Sequence, residues 1–215
     1  VGAGYRGAVR ALPSLVVLAV VLATAPVHAQ EIPPHREHYG VTFGTAASYL
    51  APTRSSRQVQ TAILDLLFGV EVFDFFGIDL YAGLSVAGAS GWITQWDDHF
   101  VDVRYDTRAG ALGPVFVFRV EPFRPLCVAN GGCAGFSFAV DAGGALLFYS
   151  SHFPPGGDIY DFAWRVGGTL GYQVTPRFRV ELGGRWMHVS NGQGLGPFNP
   201  AYEGAGVTIG TQITL

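Results

Sequence analysis

Three residue types needed for nucleophilic acyl transfer lie near the end of this chain: His188, Ser190 and Glu203. A serine hydroxyl attacks a carbonyl well only when a neighbouring base takes its proton. His188 is two positions from Ser190, so in a strand both side chains leave the same face. A carboxylate such as Glu203 can hold the imidazole in the right tautomer and stabilise the imidazolium that forms. Asn191, or the backbone N–H of Gly192, would donate to the oxyanion. Triads are recognised by geometry, so the chain order His, Ser, Glu is no objection. By spacing alone the pattern also fits an interfacial histidine followed by loop-capping Ser and Asn residues.

The elements that must position these residues are strands. Side chains alternate between two faces from 179 to 190 and again from 203 to 215. Val180, Leu182, Trp186, His188 and Ser190 share one mainly apolar face; Glu203, Val207, Ile209, Ile213 and Leu215 share another. A hairpin would bring the polar ends of both faces to one rim. The same alternation recurs at 39–49, 61–72, 78–86, 112–120, 136–149 and 162–174, giving eight strands. Pro114 is a defect in the fourth, since proline cannot donate to a ladder.

Short connections (73–76 and 175–178) alternate with longer ones (51–58, 93–107, 150–161 and 189–201), the pattern of an outer-membrane barrel. The exception is 121–135, a longer stretch on the short side. The predicted fold is therefore all-β, an eight-stranded antiparallel transmembrane barrel of the bacterial outer membrane. A secreted lipocalin-type barrel would point its apolar face inward. Here the other face is rich in Gly with sparse charges (Asp65, Glu71, Asp79, Arg119, Asp141, Arg165, Arg179, Glu181 and Arg185), which suits a narrow lumen filled by ion pairs. With both termini on the periplasmic side, His188, Ser190 and Glu203 lie near the outer end of the wall, on its lipid face. Their substrate is then an outer-leaflet lipid.

Residues 1–29 read as a secretory signal peptide: Arg6 and Arg10 precede an apolar run from Leu15 to Ala25, and Val27-His28-Ala29 fits a cleavage site. The barrel domain is then 30–215. Without the two leader arginines it carries 11 basic and 16 acidic residues, and every basic side chain of the chain is Arg. No basic surface for nucleic acid is expected. Cys127 and Cys133, in a Gly-rich stretch exported to an oxidising compartment, are expected to form a disulfide. Two thiols with no nearby His do not make a zinc site. His35 and His38 read as solvated, and Trp96-Asp97-Asp98-His99 with Asp102 as a polar outer loop. No metal or cofactor is called for.

The run His188-Val189-Ser190-Asn191-Gly192, with Gly194-Leu195 and Asn199-Pro200, resembles the H-x-S-N-(A/G)-G-L…N-(P/D) signature of the lipid A 3-O-deacylases, the PagL family. Upstream, Asp161-Phe162, the stretch Arg165 to Gly171 and the stretch Arg179 to Arg185 resemble the family's penultimate hairpin. The motif resemblance spans roughly 160–204, and before that it is only architectural. It implies an outer-membrane barrel that removes the ester-linked acyl chain at position 3 of lipid A. His188 matches the family's base, Ser190 its nucleophile and Asn191 its oxyanion-hole residue. Glu203 matches the acid when Asn199 is aligned with the family's Asn, which requires one extra residue in the intervening loop. The chain departs from exported barrels in ending on Leu215 rather than an aromatic residue.

Substrate contacts read from the loops are Arg54 and Arg57 in the first, with Arg104 and Arg108 at the end of the second; guanidinium groups suit lipid phosphates. Solvated loop charges are the plainer alternative. Trp92, Trp96, Trp164 and Trp186 fit an interfacial belt, and Trp186 also fits the border of an acyl groove. The competing functions are a phospholipase or acyltransferase with the same nucleophile, and a non-catalytic structural or adhesin barrel. Oligomeric state is left open, a homodimer included.

Overall fold

Alternation of apolar with small or polar side chains gives strands with two unlike faces, and closing them into a ring hides one face from solvent. In the computed structural model, which describes residues 40–73, 77–96, 102–129, 135–153, 158–191 and 201–215, eight antiparallel strands form one closed barrel. They are β1 (Val41–Pro52), β2 (Arg57–Phe73), β3 (Ile78–Trp96), β4 (Asp102–Val120), β5 (Phe136–Tyr149), β6 (Tyr160–Thr175), β7 (Phe178–Ser190) and β8 (Tyr202–Thr214). Closure comes from β1 pairing with β8, in register from Thr42↔Thr214 to Pro52↔Gly204. The expected signal peptide 1–29, His35, His38, Asp97, Asp98, His99 and the Cys133 half of the expected disulfide lie outside the described residues, as does Gly192.

The outside is apolar. Phe68, Leu84, Phe116, Phe148, Trp164, Leu170, Leu182 and Val207 are among many large hydrophobic side chains left exposed on the wall. The charged groups instead point inward, the reverse of a water-soluble barrel and the arrangement of a lipid-facing one. Asp65 is fully buried and takes Nη1 of Arg165 (2.6 Å) and Nη1 of Arg185 (2.9 Å) on one oxygen. Arg119 clasps Glu181 through both terminal nitrogens (2.9 and 2.5 Å). Nearer the termini, Arg179 pairs with Glu121 (2.5 Å) and Arg124 with Glu71 (2.6 Å). Between these pairs lies a cavity of about 40 Å³ lined in part by Thr45, Tyr81, Arg119, Glu181 and Arg185. It is roomy enough for roughly three waters.

The other half of the lumen differs from the sequence expectation. Toward the rim that carries the site, Leu50, Val59, Ile63, Ile93, Leu147, Phe153, Met187, Val189 and Tyr202 fill it as an apolar plug. Small inward residues, Ala87, Ala89, Ala109 and Ala111, leave them room. The lumen is thus ion-paired at the end with the termini and oily at the other. Each fully buried aliphatic side chain contributes about 1.5–3 kcal/mol, and one ionisable side chain, that of Asp161, is fully buried at this end.

Two further expectations need correction. The stretch 93–107 is mostly strand, because β3 and β4 stay paired out to Trp96↔Asp102. Arg104 therefore leaves the wall as a strand residue, its guanidinium 4.5 Å from the Trp92 ring centre. The connection 121–135 contains a short helix, α1 (Arg124–Ala129), whose Arg124 is the partner of Glu71. It is seated by Gly77, whose φ of 56° favours glycine; a Cβ there would meet Arg124 and Glu121 at 2.9 Å. Pro114 is accommodated inside the sheet: it pairs with Leu84 on the β3 side, while the β4–β5 ladder skips Gly113 and Pro114 between Leu112↔Phe148 and Val115↔Ala145.

Candidate active site

β7 and β8 are in register from Phe178↔Ile213 to Val189↔Tyr202, and this sets His188 directly opposite Glu203. On the other side β6 places Trp164 opposite His188 and Phe162 opposite Ser190. The parity of β7 is clear: Arg185, Met187, Val189 and Asn191 are buried toward the lumen, while Trp186 is exposed and His188 and Ser190 are partly so. The three candidate catalytic side chains therefore share the outer wall, at the end of the barrel opposite the termini.

His188 Nδ1–H donates to Glu203 Oε1 at 3.1 Å. With Nδ1 committed to a carboxylate, Nε2 is the nitrogen left to accept a proton. Ser190 follows on the same face, about 7 Å along the strand by Cα spacing. His188 stacks on Trp186 with ring centres 6.2 Å apart and planes 25° from parallel. The side chains of His188 and Glu203 are 26% and 15% exposed, so both reach the surface of the wall.

Glu203 is held from behind. Its strand neighbour Tyr202 is buried in the apolar plug, with its ring edge on Phe153 (5.7 Å) and its hydroxyl 3.4 Å from that of Tyr149. The backbone oxygen of Glu203 accepts from the N–H of Thr53 (3.1 Å), which ties β8 to the β1–β2 turn. That turn is tight, with Arg57 N–H bonded to Arg54 O (3.3 Å), so both arginines stand at fixed corners. Arg54 Nη2 donates to the same oxygen of Glu203 that His188 uses, at 2.5 Å. Arg57 Nη1 donates to the backbone oxygen of Ala201.

Of the residues singled out in the sequence, the structure gathers His188, Ser190, Glu203, Trp186, Arg54 and Arg57 at one place. Asn191 sits beside them but turns its side chain inward: it is 5% exposed, and Nδ2 donates to Asp158 Oδ2 at 3.4 Å. An oxyanion donor from Asn191 would thus be its backbone N–H, with Asp158 fixing the side chain below. Sequence reasoning missed Asp158, Tyr202 and the bond from Arg54 to Glu203. Only Tyr202 carried a signal, as an aromatic residue on the lumen face of β8. Among the described residues no group of three or more His, Cys, Asp or Glu is arranged to hold a metal ion.

No family model and no curated protein matches the chain by sequence. Among solved structures it is similar to the outer membrane enzyme PagL (TM-score 0.53, 16% identity, covering 80% of this chain and 99% of that one). Weaker likenesses are to Neisserial surface protein A (TM-score 0.45, 12% identity, 82% and 97% covered) and to Ail of Yersinia pestis (TM-score 0.32, 14% identity, 82% and 97% covered). At such identities the likeness concerns architecture: the chain is a closed eight-stranded antiparallel barrel of the outer-membrane kind.

Proposed function

We propose that this protein is an outer-membrane serine esterase that removes the ester-linked 3-O-acyl chain of lipid A. The observation that carries the reading is the His188–Glu203 pair, set beside Ser190 on a wall that faces lipid rather than water. Polar groups at a rim also suit an interface; what favours an esterase is their pairing, His188 on Glu203 with Ser190 on the same face.

In this mechanism Ser190 Oγ attacks the ester carbonyl carbon while His188 Nε2 takes the hydroxyl proton. Glu203 stabilises the imidazolium, and the backbone N–H of Asn191 receives the developing oxyanion. Collapse breaks the C–O bond of the ester; His188 returns the proton to the departing sugar oxygen, leaving an acyl-serine. A water, deprotonated by His188, then releases the fatty acid and restores Ser190. The exposed rings of Phe162, Trp164 and Trp186 border the site and offer an acyl chain an apolar surface. No metal or cofactor enters.

The test is mass spectrometry of lipid A from cells expressing the protein, beside Ser190→Ala and an empty vector. Loss of one hydroxyacyl chain with the first alone is the expected result. Three matching spectra, with the barrel folded in the outer membrane, would overturn the lipid A assignment. Release of fatty acid from phospholipids by the wild-type protein alone would then identify a phospholipase; none at all would leave a non-catalytic barrel.

A further inference from the structure

We propose that Arg108, with Ser90 and Gln60, holds the phosphate monoester of an outer-leaflet lipid on the wall opposite Ser190, a second lipid site apart from the candidate catalytic one. The register and charge of the wall support it, so it does not rest on the esterase reading.

Gln60 pairs with Ser90 and Ser90 with Arg108, so the three form one row across β2, β3 and β4. All three are exposed while Val59, Ala89 and Ala109 beside them are buried, so the row faces outward. β4 lies four strands from β8 either way round the ring, as β3 does from β7. At about 4.8 Å per strand that is about 19 Å of wall, so the two places take different lipid molecules and Arg108 is no contact of the lipid at Ser190. Depth follows from β4, whose outward Leu112, Phe116 and Phe118 are exposed and apolar. From Val120 to Gly110 the strand climbs about 26 Å along the barrel axis at the usual tilt. The apolar band of such a barrel is about 25 Å tall. Arg108 is therefore the first outward side chain of β4 beyond the band, at the depth of the headgroups.

The charge at this depth calls for an anion. Arg104, Asp106 and Arg108 alternate outward along β4. Arg104 is committed, with Nε 3.5 Å from Asp106 Oδ1 and its guanidinium over the Trp92 ring. Arg108 is left as the surplus cation, with no hydrogen-bond or ion-pair partner among the described residues. Its neighbours in the row add donors. The Tyr49 hydroxyl donates to Gln60 Oε1 (2.9 Å), which leaves Gln60 Nε2 to donate, and Ser90 offers its hydroxyl. A phosphate monoester accepts two parallel N–H bonds from a guanidinium and has a further oxygen for the row. A neutral headgroup leaves the cation unmatched. Ala62, Gly88 and Gly110 lie in the next row inward along the strands, and a Cβ built at Gly88 meets nothing within 4 Å, so the wall leaves the headgroup room.

The experiment uses the full barrel in vesicles of dioleoyl phosphatidylcholine, with Trp92 as the reporter and Trp96, Trp164 and Trp186 replaced by Phe. Fluorescence quenching by brominated phosphatidic acid, relative to brominated phosphatidylcholine, reads the preference of that stretch of wall for a phosphate monoester. A companion protein that keeps only Trp186 reads the opposite wall. At Trp92 a preference of about fivefold is expected, the usual worth of one arginine at an anionic lipid surface. Arg108→Gln should reduce it to parity and leave the value at Trp186 unchanged. Ser90→Asp, which keeps Arg108 but gives it a partner within the row, should do the same and guards against a misfolded Arg108 variant. Arg108→Lys should retain part of the preference. No preference at Trp92, or a preference that survives both Arg108→Gln and Ser90→Asp, would overturn the proposal. An equal loss at Trp186 would also overturn it, as a general effect of net charge. Relief of the quenching by inorganic phosphate in the buffer would overturn the assignment to a lipid.

Discussion

Replacing Glu203 by Gln keeps the size of the side chain and removes its charge, which isolates the carboxylate's electrostatic role. Gln can still accept from His188 Nδ1–H, which preserves the tautomer and ring orientation. What is lost is the attraction between carboxylate and imidazolium in the transition state. Two unit charges about 4 Å apart at an effective dielectric of about 20 interact by about 4 kcal/mol, or roughly three decades in rate at 1.36 kcal/mol per decade. The 3.1 Å contact places the pair at that separation. Two features reduce the figure: Glu203 is 15% exposed, and Arg54 shares the oxygen. The expected loss in kcat is therefore about 100-fold, with KM little changed because the carboxylate touches His188 rather than lipid. The assay is hydrolysis of a neutral p-nitrophenyl fatty-acyl ester by folded barrel, verified by its heat-dependent shift on a denaturing gel. A folded Glu203→Gln variant within threefold of wild type would refute the assignment of Glu203 as the acid.

Two predictions concern the lumen. Asp65→Ala leaves the guanidinium groups of Arg165 and Arg185 buried without their shared carboxylate, and breaking such a buried pair costs about 3–5 kcal/mol; the temperature at which the barrel loses its compact gel form should fall accordingly, with Asp65→Asn intermediate. At the end with the termini, burial pushes the Glu121 carboxyl up, but Arg179 and Arg119 outweigh it and hold the carboxyl below its ordinary range. A lowered carboxyl stabilises the fold above its ordinary value and loses that contribution as pH falls through the folded value. The urea midpoints of wild type and Glu121→Gln should therefore differ at pH 7 and converge below about pH 4; a constant gap would mean that the carboxylate's charge is irrelevant there.

The sequence made the wall legible because its signal is local. Parity within β7 and β8 was enough to put His188, Ser190 and Glu203 outward and Arg185 inward, and the lumen charges followed from the same alternation. What escaped was everything that depends on closure. Arg54 and Glu203 are 149 residues apart and meet only because β1 pairs with β8. No periodicity marks that contact. The apolar plug escaped for another reason: Ile63, Met187 and Val189 are apolar residues on the face expected to be polar, and a strand pattern cannot say whether such residues fill a lumen or break the alternation. The second long loop was overestimated because Gly91 and the small residues near it weaken the strand signal while still pairing across from β4.

The plugged lumen has a consequence for how encounters with the site take place. Ion pairs close one end and aliphatic and aromatic side chains the other, so neither lipid nor fatty acid can pass through the middle. On the esterase reading, lipid reaches Ser190 along the outer wall rather than through the barrel. Collision frequency is then set by the number of lipid molecules per unit area and by their two-dimensional diffusion, not by a bulk concentration. Diluting the leaflet with inert lipid at constant total substrate should slow the reaction, as surface dilution slows any process confined to a plane.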